Sequence, residues 1–338
     1  MKLVLKLLGG ALALVVLAAA GLAASLVLSA RTPKTPVGVT RVLAPDPGHA
    51  GVPVTLYYPT EAKPKLTWMG TSFARLATGG AVAPGAHPLV VITHGTGAGP
   101  VSHIDTALAL AEAGYVVAAP MHPGDNFQDQ SAVGTAAWFP DRARQVVRVN
   151  DYLLGSWKDH ARLDPSRVGV FGFSAGGTTA LIVAGGTPDL AGVATHCRQA
   201  PEFACQLMKP DLTAPQTWAH DPRVRAAVVA APGIGFAFAP DGLKAVTAPV
   251  QLWTGAADTS VPTASNAGLV RDQLPEAEFH TVMRAGHFAF LAPCGPAGLL
   301  LPPMLCRDPK GFDRTAFHKS FNKQVVAFFD RTLGALAP

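Results

Sequence analysis

Charged residues are scarce in this chain: Asp, Glu, Lys and Arg make up 14% of its 338 residues, against 49% for apolar residues. The formal net charge of +5 is small for this length, and the sequence has no block of Lys and Arg and no basic run with interleaved aromatic residues. These absences argue against a nucleic-acid partner, because such proteins carry a concentrated basic surface. The apolar content is sufficient for a sizeable core, in one large α/β domain or two small ones.

Charge is absent altogether from residues 7–30, a run of Leu, Ala, Val, Gly and Ser that follows two lysines and precedes Arg31. The pattern is typical of a secretory signal, but the run is longer than usual and long enough to span a bilayer. Residues 28–30 offer a cleavage site before Arg31, and residues 22–24 a weaker one. A buried core helix is a poor alternative, because the segment has no polar face. We therefore predict an exported chain, periplasmic or secreted if residues 1–30 are cleaved, and otherwise membrane-anchored through residues 7–30.

Cysteine is also rare, and the four cysteines show no metal-binding spacing. Neither pair has the C-x-x-C pattern and no histidine cluster completes a zinc site, so we expect no bound metal. An even number of cysteines in an exported chain is typical of disulfides. Of the three possible connectivities, local pairing is favoured, which joins Cys197 to Cys205 and Cys294 to Cys306. The alternative is four buried free thiols.

The segment after the apolar run, residues 31–50, is rich in Pro, Thr and Gly and is interpreted as a linker to a domain of residues 51–338. Within that domain, apolar runs alternate with helix-compatible segments, which predicts an α/β fold with a mainly parallel sheet covered by helices on both faces. Residues 60–86 have a loop-like composition. Residues 187–222 are polar, contain two cysteines, and are predicted as an excursion on top of the sheet. The predicted strands are 52–58, 88–93, 115–119, 168–171, 224–230, 250–253 and 278–283, and the predicted helices are 104–113, 141–154, 177–184 and 313–333.

Residues 172–176 read Gly-Phe-Ser-Ala-Gly, a G-x-S-x-G motif between a predicted strand and a predicted helix. This context is typical of a nucleophile elbow, in which the serine occupies a strained backbone position and the flanking positions must be small. The motif alone is weak evidence, since an ordinary βα turn can have the same sequence. It makes Ser174 the candidate nucleophile.

A serine nucleophile needs a base within hydrogen-bond reach and a carboxylate that orients that base. Asp258 and His287 each follow a predicted strand, so both fall at the edge of the sheet where parallel strands end and where Ser174 is delivered. Taken alone, Asp258 fits a turn former and His287 a structural residue. The chain order Ser174, Asp258, His287 is nevertheless that of α/β hydrolases, and we predict a triad of these three residues.

An oxyanion hole requires two backbone N–H groups aimed at the developing charge. We expect one from Ala175, after the nucleophile, and the other from Thr96 in the segment 94–97, which reads His-Gly-Thr-Gly. His94 is expected to hold this loop through a hydrogen bond rather than to act as a second base. A phosphate-cradling loop is the alternative, but the segment lacks the Lys-Ser/Thr ending of a P-loop and the spacing of a dinucleotide fingerprint.

Over about residues 50–335 the chain resembles the α/β-hydrolase superfamily, and within it the exported dienelactone-hydrolase-like proteins related to platelet-activating-factor acetylhydrolases. The resemblance implies a Ser/Asp/His esterase without metal or cofactor, acting on short or oxidised acyl esters. Dienelactone hydrolases use a cysteine nucleophile, whereas this chain has Ser174, which argues against dienelactone as the substrate. The segments that carry the resemblance are residues 94–97, 115–119, 122–126, 172–177, 255–258 and 286–287.

Aromatic residues near the predicted site are candidates for an acyl pocket under a small lid. Trp138, Phe173, Phe288 and Phe290 are assigned to this pocket. Packing of these side chains in the core is an equally good alternative. Asp125 and Asn126, which follow another predicted strand, are interpreted either as residues that support the site from behind its reacting groups or as a turn, and the turn is favoured.

Together these inferences predict an exported serine hydrolase that cleaves a carboxylic ester of a small-molecule or lipid-like substrate through an acyl-enzyme. A peptidase or amidase of the same fold is an alternative, although no N-terminal propeller and no acidic pair to hold a peptide amine are evident. A non-catalytic binding protein on a hydrolase fold is a third possibility, and the complete predicted triad argues against it.

Overall fold

A ten-stranded sheet organises the chain in the computed structural model. The structure describes residues 2–70, 72–209, 212, 216–238 and 240–334. Among these residues the strands are β1 (Val37–Ala44), β2 (Val52–Pro59), β3 (Lys65–Trp68), β4 (Phe73–Thr78), β5 (His87–Thr93), β6 (Val116–Pro120), β7 (Leu163–Phe173), β8 (Val224–Ala230), β9 (Val250–Gly255) and β10 (Glu278–Val282). Across the sheet they lie in the order β10-β9-β8-β7-β5-β6-β2-β1-β4-β3.

The sheet is mixed, with a parallel centre and an antiparallel flank. Every neighbouring pair from β10 to β6 is parallel, whereas β2 pairs antiparallel with both β6 and β1. At the far edge, β4 runs parallel to β1 and antiparallel to β3. All seven residues of β5 are buried, as its continuous apolar run predicts for a strand covered on both faces.

Helices cover both faces of this sheet. In the described part of the chain they are α1 (Lys2–Leu28), α2 (Ile104–Glu112), α3 (Trp138–Gly155), α4 (Ala175–Val183), α5 (Leu190–Gln199), α6 (Phe203–Leu207), α7 (Ala267–Gln273), α8 (Pro303–Cys306) and α9 (Arg314–Leu333), with 3₁₀ turns at His160–Arg162, Gly235–Phe238, His287–Phe290 and Pro296–Leu300. Buried side chains of α3 and α4 pack on one face of the sheet, and those of α2 and α9 on the other. The predicted α/β class is confirmed.

Two segments that the sequence predicts to be irregular are in fact part of the sheet. The predicted linker, residues 31–50, contains β1, which pairs with β2 over its whole length. The predicted loop, residues 60–86, contains β3 and β4. These strands lie on the flank of the sheet, and β3 has no buried residue. A strand open to solvent needs no continuous apolar run, so a search for such runs misses it.

The excursion predicted at residues 187–222 leaves the sheet between α4 and β8. Its described residues include α5 and α6. Residues 210, 211 and 213–215 of this excursion lie outside the described part of the chain.

Two disulfides hold loops at the end of the sheet where the parallel strands finish. Cys197 of α5 is joined to Cys205 of α6, and Cys294 is joined to Cys306 of α8. The predicted local pairing is therefore confirmed.

Replacing all four cysteines by serine should lower the free energy of unfolding by about 2–3 kcal/mol per disulfide, because the unfolded chain regains conformational freedom. Denaturant unfolding of the natural chain and the variant, each with and without a reductant, measures this change. Reductant should lower the unfolding midpoint of the natural chain and leave that of the variant unchanged. Equal stability of the two chains without reductant would contradict the expectation.

Candidate active site

Ser174 lies at the sharp turn between the end of β7 and the start of α4. Its backbone has φ 56° and ψ −123°, a strained conformation for a residue with a side chain. The Ser174 N–H donates to the carbonyl of Ala230 at 3.0 Å, which holds the turn against β8. A Cβ on Gly172 would lie 2.0 Å from the carbonyl oxygen of Gly176, and a Cβ on Gly176 would lie 2.0 Å from that of Thr93. Any side chain at either motif glycine would clash with the backbone of a neighbouring segment, as is typical of a nucleophile elbow.

The three residues of the predicted triad come together although they are distant in sequence. The Nε2 atom of His287 lies 3.0 Å from Ser174 Oγ, and its Nδ1 atom lies 2.7 Å from Asp258 Oδ2. Asp258 Oδ1 accepts from the N–H groups of Ser260 and Val261, at 2.9 and 2.7 Å, so the carboxylate is held in place. Because this carboxylate accepts a hydrogen bond from Nδ1–H, the proton of a neutral imidazole lies on Nδ1 and Nε2 presents its lone pair to the serine hydroxyl.

Three of the four aromatic residues assigned to an acyl pocket are core residues. Trp138, Phe173 and Phe290 are each at most 3% exposed, so the structure corrects their assignment in favour of core packing. The ring of Phe173 packs against the imidazole of His287, with ring centroids 4.8 Å apart. The fourth residue, Phe288, lies at the surface of a cavity.

This cavity has a volume of about 310 Å³ and lies beside His287. Phe288 and Met304 contribute apolar surface to it, and Ser260 contributes polar surface. It is bounded in part by the loop that the Cys294–Cys306 disulfide closes. Among the described residues, no group of three or more His, Cys, Asp or Glu side chains is placed to hold a metal ion.

The loop after β5 passes close to the serine. A Cβ on Gly95 would lie 3.3 Å from Ser174 Cβ, so no larger residue fits there without a shift. Within the described part of the chain, the N–H groups of Thr96 and Ala175 donate no hydrogen bond. Ala175 is also the first residue of α4, where the helix dipole favours negative charge. The two expected oxyanion donors are thus unused by the protein itself.

A buried carboxylate beneath this loop is the less favoured of two alternatives that the sequence offered for Asp125. Asp125, interpreted there as a turn residue, is 1% exposed and accepts three hydrogen bonds. They come from the Gly97 N–H at 2.7 Å, the Trp138 Nε1–H at 2.6 Å and the Arg142 guanidinium at 2.6 Å. Asp125 therefore fixes the position of the loop that carries Thr96.

Arg142 completes the connection between the loop and the helix that begins after the serine. Its guanidinium donates to the carbonyl of His94 in the loop, and its Nε–H donates to Thr179 Oγ1 of α4 at 3.0 Å. The side chain is 1% exposed, and Asp125 provides the opposite charge. Burial lowers the pKa of Arg142, and the carboxylate of Asp125 opposes that shift.

A signal for Arg142 exists in the sequence. Val146, Val149 and Leu153 are buried on one face of α3, and Arg142 falls on the same face at helical spacing. A positive charge on the apolar face of a helix requires a buried partner, and Asp125 is that partner.

His94 holds the loop, as expected, and is not a second base. Its Nε2 accepts from the His122 N–H at 3.3 Å, so its Nδ1–H donates to the Gly95 carbonyl at 2.8 Å. Burial, together with the nearby charge of Arg142, lowers the pKa of His94 to about 3. The same two causes hold the pKa of His122 well below its usual range. Both rings are therefore neutral at physiological pH.

Residues 75–233 match the family model described as "Dienelactone hydrolase family". The match includes Ser174 and the loop that precedes α2, and it ends before Asp258 and His287. It identifies this part of the chain as a dienelactone hydrolase family domain of the α/β-hydrolase superfamily. The chain is accordingly a carboxylic ester hydrolase.

A solved structure shares the fold over most of the chain. It is a ferulic acid esterase from Streptomyces cinnamoneus, with 20% sequence identity and a TM-score of 0.63, and the match covers 92% of this chain and 94% of that one. At this identity the likeness establishes the fold alone. No curated protein sequence matches the chain.

Replacing Asp125 by Asn should lower the free energy of unfolding by about 3–5 kcal/mol, because Arg142 is left as an uncompensated buried charge. Urea unfolding measures the change. The matched control is Asp272→Asn, which breaks the exposed Arg271–Asp272 pair and should cost less than about 1 kcal/mol. Equal losses of unfolding free energy in the two variants would contradict the inference that Asp125 compensates the buried charge of Arg142.

Proposed function

We propose that the chain hydrolyses its ester by acyl transfer through Ser174, with His287 as general base and Asp258 as the carboxylate that orients the base. The observation that carries this proposal is the continuous hydrogen-bond relay from Ser174 Oγ through His287 to Asp258, at 3.0 and 2.7 Å. A relay of this geometry is what activates a serine that is otherwise a weak nucleophile at neutral pH.

In the first half-reaction, Ser174 Oγ attacks the ester carbonyl carbon while His287 Nε2 takes the hydroxyl proton. The carbonyl oxygen becomes an oxyanion, and the N–H groups of Thr96 and Ala175 stabilise it. One such donor contributes about 10²–10³-fold to the rate. The imidazolium of His287 then gives its proton to the departing alcohol, which leaves an acyl group on Ser174.

In the second half-reaction, water attacks the acyl group while His287 takes one of its protons. The second tetrahedral intermediate collapses, Ser174 Oγ leaves, and His287 returns the proton to it. The acid product is released and the three residues are restored. Asp258 stays ionised throughout and stabilises the imidazolium form of His287.

The substrate proposed for this site is a small or lipid-like ester. A cavity of about 310 Å³, at the small end of the range for ligand sites, adjoins His287 and has Phe288 and Met304 in its lining, whereas Ser174 does not line it. The resemblance to a ferulic acid esterase in fold is consistent with this class. The same observations support no particular acyl or alcohol group.

We place the site outside the cytoplasm. The apolar helix α1 includes a segment, Gly10–Leu28, that is long and apolar enough to cross a membrane and lies near the N-terminus. The two disulfides support the same compartment, because such bonds persist in oxidising environments. Periplasmic or secreted forms follow from cleavage of α1, and a membrane-bound form follows from its retention.

Ser174→Ala should lower the hydrolysis of p-nitrophenyl acetate or butyrate by about 10⁴-fold or more, because the nucleophile is lost. It should also abolish labelling by a fluorophosphonate probe. The control is Ser166→Ala, which changes an exposed serine of β7 and should leave both readouts intact. An inactive natural chain that takes no label would exclude the enzyme, and labelling with turnover of amides but not of esters would favour a peptidase.

Asp258→Asn should lower kcat by about 10⁴-fold while leaving the fold intact. The amide oxygen of Asn keeps the hydrogen bonds from Ser260 and Val261, so the amide NH₂ faces His287 Nδ1 and imposes the wrong tautomer. Steady-state kinetics measure the effect, and circular dichroism checks the fold. A folded variant with a kcat close to that of the natural chain would exclude the proposed role of Asp258 in orienting His287.

A further inference from the structure

The helix α1 projects away from the folded body. No part of its apolar segment is buried in the described structure, and its final turn approaches the 3₁₀ turn Pro296–Leu300. Leu28 ends the helix, and by Arg31 the chain is already part of the body. The Arg31 N–H donates to the Phe73 carbonyl at 2.9 Å, and its guanidinium donates to the Pro293 carbonyl at 2.6 Å. The end of α1 is thus held within about 10 Å of the body, with no flexible linker.

Four exposed apolar side chains lie near the end of this helix or near the candidate active site; we call them the apolar rim. They are Trp68, Phe127, Leu299 and Met304, exposed by 51%, 63%, 90% and 55%. Leu299 belongs to the 3₁₀ turn that α1 approaches, and Met304 lines the cavity beside His287.

Contacts connect the other two rim residues to the same surface. The ring of Trp68 packs on that of Phe73, with centroids 5.0 Å apart, and the Phe73 carbonyl accepts from Arg31 at the end of α1. A Cβ on Gly99 would lie 3.1 Å from the ring of Phe127, so Phe127 covers the loop that continues from the oxyanion donors. Trp68 and Leu299 therefore lie beside the end of α1, and Phe127 and Met304 lie beside the candidate site.

Single exposed apolar residues are common and need no explanation. This group differs because it adjoins a helix whose segment Gly10–Leu28 is uncharged, apolar and not covered by the rest of the described structure. Covering apolar surface stabilises a protein by about 25 cal/mol per Å², and a bilayer provides the cover for both α1 and the rim. Aromatic side chains such as Trp68 are favoured at the boundary between lipid and water.

We propose that α1 is retained as a membrane anchor and that the apolar rim docks on the same bilayer, so that the candidate active site takes its ester from the lipid interface. The short connection at Arg31 keeps Trp68 and Leu299 close to the membrane in which α1 is inserted. The docking stands on the placement of α1 and the rim, whereas the choice of an ester as the molecule drawn from the lipid rests on the proposed function.

Docking is tested with the full chain reconstituted in phosphatidylcholine vesicles whose acyl chains carry bromine near the headgroup. Bromine quenches tryptophan fluorescence on contact, and Trp68 is half exposed, whereas Trp138, Trp157 and Trp253 are buried and Trp218 is partly buried against the core. We expect brominated vesicles to quench the natural chain more than Trp68→Phe, which keeps an aromatic residue in the rim but removes the reporter. Equal quenching of the two chains would overturn the proposal, as would an isolated mature chain that begins at Arg31.

The kinetic consequence is tested with Trp68→Ser combined with Leu299→Ser, compared on two esters. Hydrolysis of a long-chain p-nitrophenyl ester carried in the vesicles should fall about tenfold, while hydrolysis of water-soluble p-nitrophenyl acetate should be unchanged. Leu43→Ser, at an exposed apolar residue outside the rim, should change neither rate. Equal losses on both esters, or no loss on the vesicle ester, would overturn the interfacial role. If the natural chain hydrolyses neither ester, the proposed function fails, and the quenching experiment still decides the docking.

Discussion

The geometry of the candidate site depends on the buried ion pair between Arg142 and Asp125. Removing two charges from water is costly unless their remaining hydrogen-bonding groups are satisfied. Here those groups bond to the parts that surround Ser174: the loop at His94 and Gly97, and the helix α4. The buried ion pair therefore holds the loop of residues 94–97 at a fixed distance from the turn at Ser174.

The strained backbone at Ser174, the proposed nucleophile, is stabilised by the strands and the helix that surround it. A positive φ at Ser174 is unfavourable for a residue with a side chain, and it persists because β7, β8 and α4 over-determine the turn. Asp258 and His287 come from separate loops after β9 and β10, and each is fixed by hydrogen bonds. The proposed relay is therefore already assembled in this structure, from residues that hydrogen bonds hold in place.

The sequence was most informative where chemistry and local pattern coincide. Ser174, Asp258 and His287 come after the ends of β7, β9 and β10, which run parallel in one sheet, so their meeting at one edge follows from parallel topology. Burial was less predictable, since an aromatic residue such as Trp138 suits a pocket and a core equally well. The role of Asp125 required tertiary information, because its partner Arg142 lies on a different element. The strand β1 was missed because flank strands carry no continuous apolar run.

The Cys294–Cys306 bridge determines when one part of the wall of the cavity beside His287 becomes covalently fixed. Met304, which forms part of the cavity wall, sits inside the loop that this bridge closes. In a reducing cytoplasm both sulfurs remain thiols, and the loop is then held by non-covalent contacts such as the hydrogen bond from Arg314 to the Leu305 carbonyl at 2.7 Å. For a chain that is exported as proposed, the covalent tie across this loop forms only in the oxidising compartment. That part of the cavity wall is thus fixed after synthesis of the polypeptide, in the compartment where the proposed esterase works.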